Sequence, residues 1–142
     1  PPPVVLAVPR GPFSSSQKAD PFMTAQQVES QNGFSRFKFS PVLERNLRAA
    51  GYDEPRPVQL KTMPAALEGR DILGLAQTGT GKTAAFALPS LEFILTARKR
   101  PGPRVLVMAP TRELAIQIEG EYRKLSKSTG IRTVAVYGGI SD

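Results

Sequence analysis

Cysteine, histidine and tryptophan are all missing from this chain. Without cysteine there is no disulfide frame and no thiolate metal site. Without histidine the usual general base, proton switch and transition-metal ligand are gone. Any chemistry is left to carboxylates, lysine, arginine, hydroxyls, backbone amides and a hard cation. Long apolar runs are lacking too, since no stretch approaches the ~18 residues of a membrane helix. Val4-Val5-Leu6-Ala7-Val8 is shorter than the apolar region of a signal peptide, and no basic segment precedes it. These absences predict a cytosolic or nuclear protein with no membrane partner.

What remains is ordinary for one globular domain or part of one: 142 residues, 40% hydrophobic and 22% charged. The net charge of +7 is unevenly placed. Residues 1–33 carry two basic and two acidic groups, residues 34–70 seven and four, residues 71–95 one and two, and residues 96–142 nine and four. A surface of this kind favours a polyanion, of which nucleic acid is the commonest. A generic solvated surface fits the composition equally well.

Residues 1–31 are Pro-rich and then Ser- and Gln-rich, with neither strand nor helix periodicity, and read as an extended or disordered tail. From Phe34 the pattern changes. Ser40-Pro41 is an N-cap followed by proline at the first helical position, Val42, Leu43, Leu47 and Ala50 share a helical face, and Gly51 ends the element. A second helix runs from Pro57 to Gly69 with Pro64 bending it. Residues 71–75 read as a buried strand, 82–97 as a helix interrupted at Pro89, and 104–109 as an apolar strand. Residues 112–127 repeat Leu114, Ala115, Ile118, Tyr122 and Leu125 at helical spacing, and 131–137 form a third strand closed by Gly138-Gly139. Strands alternating with helices of this length predict an α/β domain with a parallel sheet.

Ala76-Gln77-Thr78-Gly79-Thr80-Gly81-Lys82-Thr83 carries the chemistry. It matches the pattern of a small residue, four variable positions and then Gly-Lys-Thr, between a strand and a helix. Glycines in such a loop let backbone N–H groups converge on phosphates, at a helix end with partial positive charge. Lys82 would reach the β- and γ-phosphates, and the Thr83 hydroxyl would coordinate Mg²⁺. A nucleoside triphosphate is the ligand this pattern implies, and Lys82 and Thr83 are its candidate catalytic residues.

Three flanking patterns narrow the reading. Gln59 stands twenty positions before Gly79, inside Gly51-Tyr52-Asp53-Glu54-Pro55-Arg56-Pro57-Val58-Gln59, and Phe34 stands seventeen before Gly51. Pro110-Thr111-Arg112-Glu113-Leu114-Ala115 follows the second predicted strand, and Gly138-Gly139 the third. In these motifs the chain resembles the DEAD-box RNA helicases, over 109 of its 142 residues. The resemblance implies a RecA-like phosphate-loop NTPase domain, with residues 32–60 as the Q-motif region and 61–142 as the helicase ATP-binding domain. It implies ATP and Mg²⁺ as cofactors and RNA as partner. A glutamine offers a donor and an acceptor side by side, matching the N6/N7 edge of adenine. Phe34 and Tyr52 would pack the faces of that base. Pro110, Thr111 and Arg112, with Gly138 and Gly139, would grip the sugar-phosphate backbone of one RNA strand without reading bases. Arg56 departs from the Thr or Ser usual in the family and is expected to point into solvent. The basic loop 98–104 is assigned no site.

The family pattern continues to an Asp-Glu-Ala-Asp motif, a Ser-Ala-Thr motif and a second RecA-like domain, none of which occurs in these residues. The chain is therefore expected to be the ATP-binding N-terminal part of a helicase, truncated before the Asp-Glu-Ala-Asp strand and inactive by itself. Two other readings stay open: a phosphate-loop ATPase acting on DNA, and a non-catalytic RNA- or partner-binding module.

Overall fold

The computed structural model describes residues 33–77 and 79–139, together with the backbone of residues 4–6. The tail reading of residues 1–31 otherwise lies outside the described residues, as does Thr78. A 3-10 turn at Gly33–Phe37 leads into α1 (Pro41–Ala49) and α2 (Pro57–Leu67). Strand β2 (Ile72–Gly74) feeds the glycine-rich loop, which opens α3 (Lys82–Thr96), and α4 (Arg112–Leu125) follows.

Helix α3 is the hub. Every residue from Ala84 to Glu92 is buried, as expected of a helix apolar nearly all round. It packs against α1, α2 and α4. Leu88 and Leu91 are fully buried, in a core with Leu43 and Leu47 of α1, Met63 of α2 and Leu125 of α4. Pro89 does not interrupt α3, which runs through it; Pro64 is likewise carried inside α2. The carbonyl facing a proline loses a partner, and packing on several sides offsets that loss.

Polar side chains tie the helices at chosen points. Ser40 holds the N-cap position of α1, but its hydroxyl does not cap the helix. It donates instead to Glu92 Oε1 at 2.8 Å while its backbone N–H donates to Glu92 Oε2 at 2.9 Å. A buried carboxylate from α3 thus sits at the positive end of α1, where the helix field favours it. Asn46 does the same for carbonyls, with Nδ2 donating to Leu125 O and Lys127 O, each at 2.7 Å, where α4 ends. The Tyr122 hydroxyl bonds the Ser90 hydroxyl at 2.6 Å inside the α3–α4 contact, and burial pushes its pKa up to about 12.

The sheet is where expectation and structure part. The ladder present among the described residues joins β1 (Val4–Leu6) to β2 antiparallel, with Val4 opposite Gly74, Val5 opposite Leu73 and Leu6 opposite Ile72. The segments 104–109 and 131–137, expected as parallel strands, form no ladder among the described residues. They still behave as strands in one respect. Val107, Ala109 and Ile131 turn onto the core, while Leu106, Met108, Val134 and Val136 stand 80–86% exposed. Alternation of period two survives because the helices pack one side, whereas ladder bonds need a partner strand at hydrogen-bonding distance.

The Asn46 bridge gives a direct test of this helical frame. Asn46→Ala removes two hydrogen bonds and strands two carbonyls, which should cost about 2 kcal/mol in urea unfolding. A loss below ~0.5 kcal/mol would mean that the bridge contributes little to the α1–α4 joint.

Candidate nucleotide and nucleic-acid site

Two of the predicted groups meet at the N-terminus of α3. The glycine-rich loop turns because Gly79 and Gly81 adopt φ of 78° and 84°, in the left-handed region that favours glycine. Thr80 Oγ1 donates to Gln77 O at 2.7 Å, and Lys82 Nζ reaches back across the loop to Ala76 O at 2.5 Å. Gly81 is the N-cap of α3, with no side chain to satisfy the first amides of the helix. Those amides, the flexible cation of Lys82 and the half-buried Thr83 one position on form a concentration of donors at a positive helix end.

Gln59 locks onto this loop from α2. It is 1% exposed, and both ends of its amide are engaged. Oε1 accepts from the Arg56 N–H at 2.8 Å, closing the first turn of α2, and Nε2 donates to Gly81 O at 3.0 Å. One N–H and one lone pair are left for a ligand. Arg56 is exposed, as expected, but it also reaches the loop: Nη1 donates to Gly79 O at 2.6 Å. Its length lets it span a gap that a short hydroxyl side chain bridges only with a closer backbone, and residue type alone does not reveal that reach.

Phe34 and Tyr52 also come together, with ring centroids 5.9 Å apart and edges meeting at 84°. They line a cavity of about 70 Å³ with Ser35, Glu44, Leu47, Arg48 and Asp53. Phe34 is otherwise buried, against Tyr52 and Phe37. The Tyr52 hydroxyl donates to Glu121 of α4. Burial first, and that carboxylate second, hold the Tyr52 pKa well above its ordinary value, while Arg56 nearby pulls it down.

The remaining predicted residues lie at 110–112 and 138–139, and one contact joins the two segments. The Thr111 hydroxyl caps α4, accepting from Leu114 N at 3.2 Å. Arg112 stacks its guanidinium over the Tyr137 ring, 4.6 Å from the centroid, so the motif at 110–115 meets the residue next to Gly138. Pro110, Thr111, Arg112, Gly138 and Gly139 are all exposed, and Gly139 has φ of 84°. Tyr137 was missed from sequence; its one signal is the inward phase it shares with Ile131, Thr133 and Ala135. Among the described residues no three acidic or sulfur side chains cluster as metal ligands, which leaves the Thr83 hydroxyl as the candidate. An oxygen donor of that kind fits a hard cation shared with phosphate oxygens.

The loop geometry predicts unequal glycines. A Cβ at Gly79 meets nothing within 4 Å, whereas one at Gly81 falls 2.6 Å from Gln59 Nε2 and 3.0 Å from Arg56 Cδ. Gly79→Ala should cost about 1–2 kcal/mol for left-handed backbone alone. Gly81→Ala should cost clearly more in chemical unfolding, and equal losses would contradict the packing of Gln59 on Gly81.

Comparison with known proteins follows the same residues. The DEAD/DEAH box helicase family profile matches residues 56–142. The chain is 44% identical over 110 residues to the ATP-dependent RNA helicase SrmB of Haemophilus influenzae, covering 76% of this chain and 25% of that protein. It is 41% identical over 117 residues to the ATP-dependent RNA helicase DBP10 of Debaryomyces hansenii, covering 82% and 13%. Among solved structures, the RNA helicase Prp28 from Chaetomium thermophilum bound to ADP superposes with a TM-score of 0.70 at 44% identity, covering 77% of this chain and 27% of that one. That likeness supports a RecA-like fold. The chain spans about a quarter or less of the length of these relatives. With a family match over more than half its residues, the chain belongs to the DEAD/DEAH box helicases.

Proposed function

We propose that this chain is the nucleotide-binding part of an ATP-dependent RNA helicase. One observation carries the reading: Gln59, the candidate base-reading side chain, is hydrogen-bonded at 3.0 Å to Gly81 of the glycine-rich loop that opens α3. A group suited to the adenine edge and a group suited to phosphates are thereby one unit. Together the two groups suit a nucleotide rather than a free phosphate. The relative Prp28, whose structure contains ADP, supports the same assignment.

In this reading the amides at the start of α3 and the Lys82 ammonium take the β- and γ-phosphates. Lys82 must then exchange the Ala76 carbonyl for phosphate oxygen. Magnesium supplies charge neutralisation when bound, held by Thr83 and the phosphates. The remaining N–H and lone pair of Gln59 face N7 and N6 of adenine; guanine offers the wrong pattern there. Phe34 and Tyr52 form the base side of the pocket, which requires the Tyr52 ring or its neighbours to move. Single-stranded RNA takes the surface of Pro110, Thr111, Arg112, Gly138 and Gly139. The Arg112 guanidinium, backed by the Tyr137 ring, contacts a phosphate whatever the base. RNA unwinding or remodelling belongs to the whole protein, through closure against a second RecA-like domain, and a cytoplasmic or nuclear location suits that work.

Nucleotide affinity tests the reading. ADP should bind in preference to GDP, and Gln59→Ala should erode the preference by about 1–3 kcal/mol. Equal ADP and GDP affinity in the unsubstituted chain would contradict the base-reading role. Lys82→Ala should weaken ADP by about 1.5–3 kcal/mol with unchanged circular dichroism, as for a lost hydrogen bond to a charged group.

Arg112→Ala should weaken unrelated RNA sequences alike and lower the slope of affinity against salt by about one. A sequence-selective loss would assign Arg112 to base reading instead. With no acidic cluster among the described residues, the 142-residue chain should release no phosphate from ATP, with or without RNA. Turnover that disappears in Lys82→Ala would overturn that expectation.

A further inference from the structure

We infer that Arg56 is a positioning residue for the glycine-rich loop, turning the Thr80 N–H toward the nucleotide phosphates by holding the Gly79 carbonyl on the other side of their shared peptide. The inference rests on the nucleotide reading above. It starts from peptide geometry: in a trans peptide the C=O of one residue and the N–H of the next point in opposite directions. The described chain has no cis peptide. Fixing a carbonyl therefore fixes the amide beyond it.

Two loop carbonyls are fixed from α2. Arg56 Nη1 holds Gly79 O at 2.6 Å, which aims the Thr80 N–H away from Arg56. Gln59 Nε2 holds Gly81 O at 3.0 Å, which does the same for the Lys82 N–H. The two prongs are joined at their base, because the Arg56 backbone N–H donates to Gln59 Oε1 at 2.8 Å. Both close over Gly81, where Arg56 Cδ and Gln59 Nε2 leave no space for a Cβ.

The other loop bonds are of a different kind. Thr80 Oγ1 to Gln77 O and Lys82 Nζ to Ala76 O are made within the loop and the first turn of α3. The Lys82 bond is given up when phosphate arrives, whereas the Arg56 bond lies behind the peptide and is kept. Glycines at 79 and 81 make the loop pliable, and an unbraced loop would lose more backbone entropy on binding. Arg56 lowers that cost. Its charge also stands beside the loop without a carboxylate ion-pair partner among the described residues, which adds attraction for an anionic ligand.

The role separates phosphate binding from base binding. Arg56 engages Gln59 through its backbone, so substitution of the side chain leaves the base-reading amide in place. In titrations of the 142-residue chain, Arg56→Ala should bind ADP about tenfold more weakly. Adenosine affinity should be unchanged. Arg56→Lys, which keeps a charge and one donor, should recover most of the ADP affinity. The Thr80 amide NMR resonance, shifted by ADP in the unsubstituted chain, should shift less in Arg56→Ala.

Unchanged ADP affinity in Arg56→Ala would overturn the inference. So would equal losses for ADP and adenosine, which would mark Arg56 as a support for the whole fold. A large drop in unfolding midpoint for Arg56→Ala together with a failed rescue by Arg56→Lys would do the same. Failure of the unsubstituted chain to bind ADP would overturn the nucleotide reading itself, and the inference with it.

Discussion

A buried side-chain amide has four hydrogen-bonding valences and little tolerance for leaving them idle. Gln59 spends two of them inside the protein, one on the first turn of its own helix and one on the loop that opens α3. That single residue fixes the position of α2 against the glycine-rich loop. Gly81 has to be glycine partly because Gln59 occupies the space a side chain would need. Arg56 adds a second contact two loop residues earlier. The start of α2 and the glycine-rich loop, separated in sequence, are in this way held at one register.

The helical frame keeps that register stable. Helix α3 begins at the loop and runs through the core from Ala84 to Glu92, so whatever holds α3 also holds the loop that opens it. Leu88 and Leu91 do so through apolar packing. Glu92 does so through a charge-assisted bond to the start of α1, and Ser90 through its bond to Tyr122 of α4. Elsewhere Leu73, Leu75, Leu106 and Met108 stand exposed. The segments 104–109 and 131–137 meet the helices through Val107, Ala109, Ile131 and the bond from Thr133 Oγ1 to Glu119 Oε1.

The helices were legible because their information is local: Leu43 with Leu47, or Ile118 with Tyr122 and Leu125, repeats at the spacing that a helix makes into a face. Their bounds lie within a few residues of expectation. The continuity of α3 through Pro89 was not legible, since proline argues for a break and burial on several sides argues against one. Strands were less legible for a different reason. The nearly continuous apolar run of 104–109 does not tell which side chains face inward; Val107 and Ala109 do, while Leu106 and Met108 stand exposed. Whether a ladder forms depends on neighbours elsewhere in the sequence. At the site, the glycine pattern and Gln59 were readable because each carries its own chemistry. The contacts of Arg56 and Tyr137 were not, because a long cation and a strand aromatic gain meaning only from what lies within reach in space.

Amide NMR of the 142-residue chain titrated with magnesium ADP tests the central claim most directly, that Gln59 and the glycine-rich loop form one nucleotide site. A single site gives saturable shifts in the backbone amides of Gly79, Thr80, Gly81 and Lys82 together with the side-chain NH₂ of Gln59, all with one affinity. Loop shifts that leave the Gln59 amide untouched, or the same Gln59 shift with GDP, would contradict it.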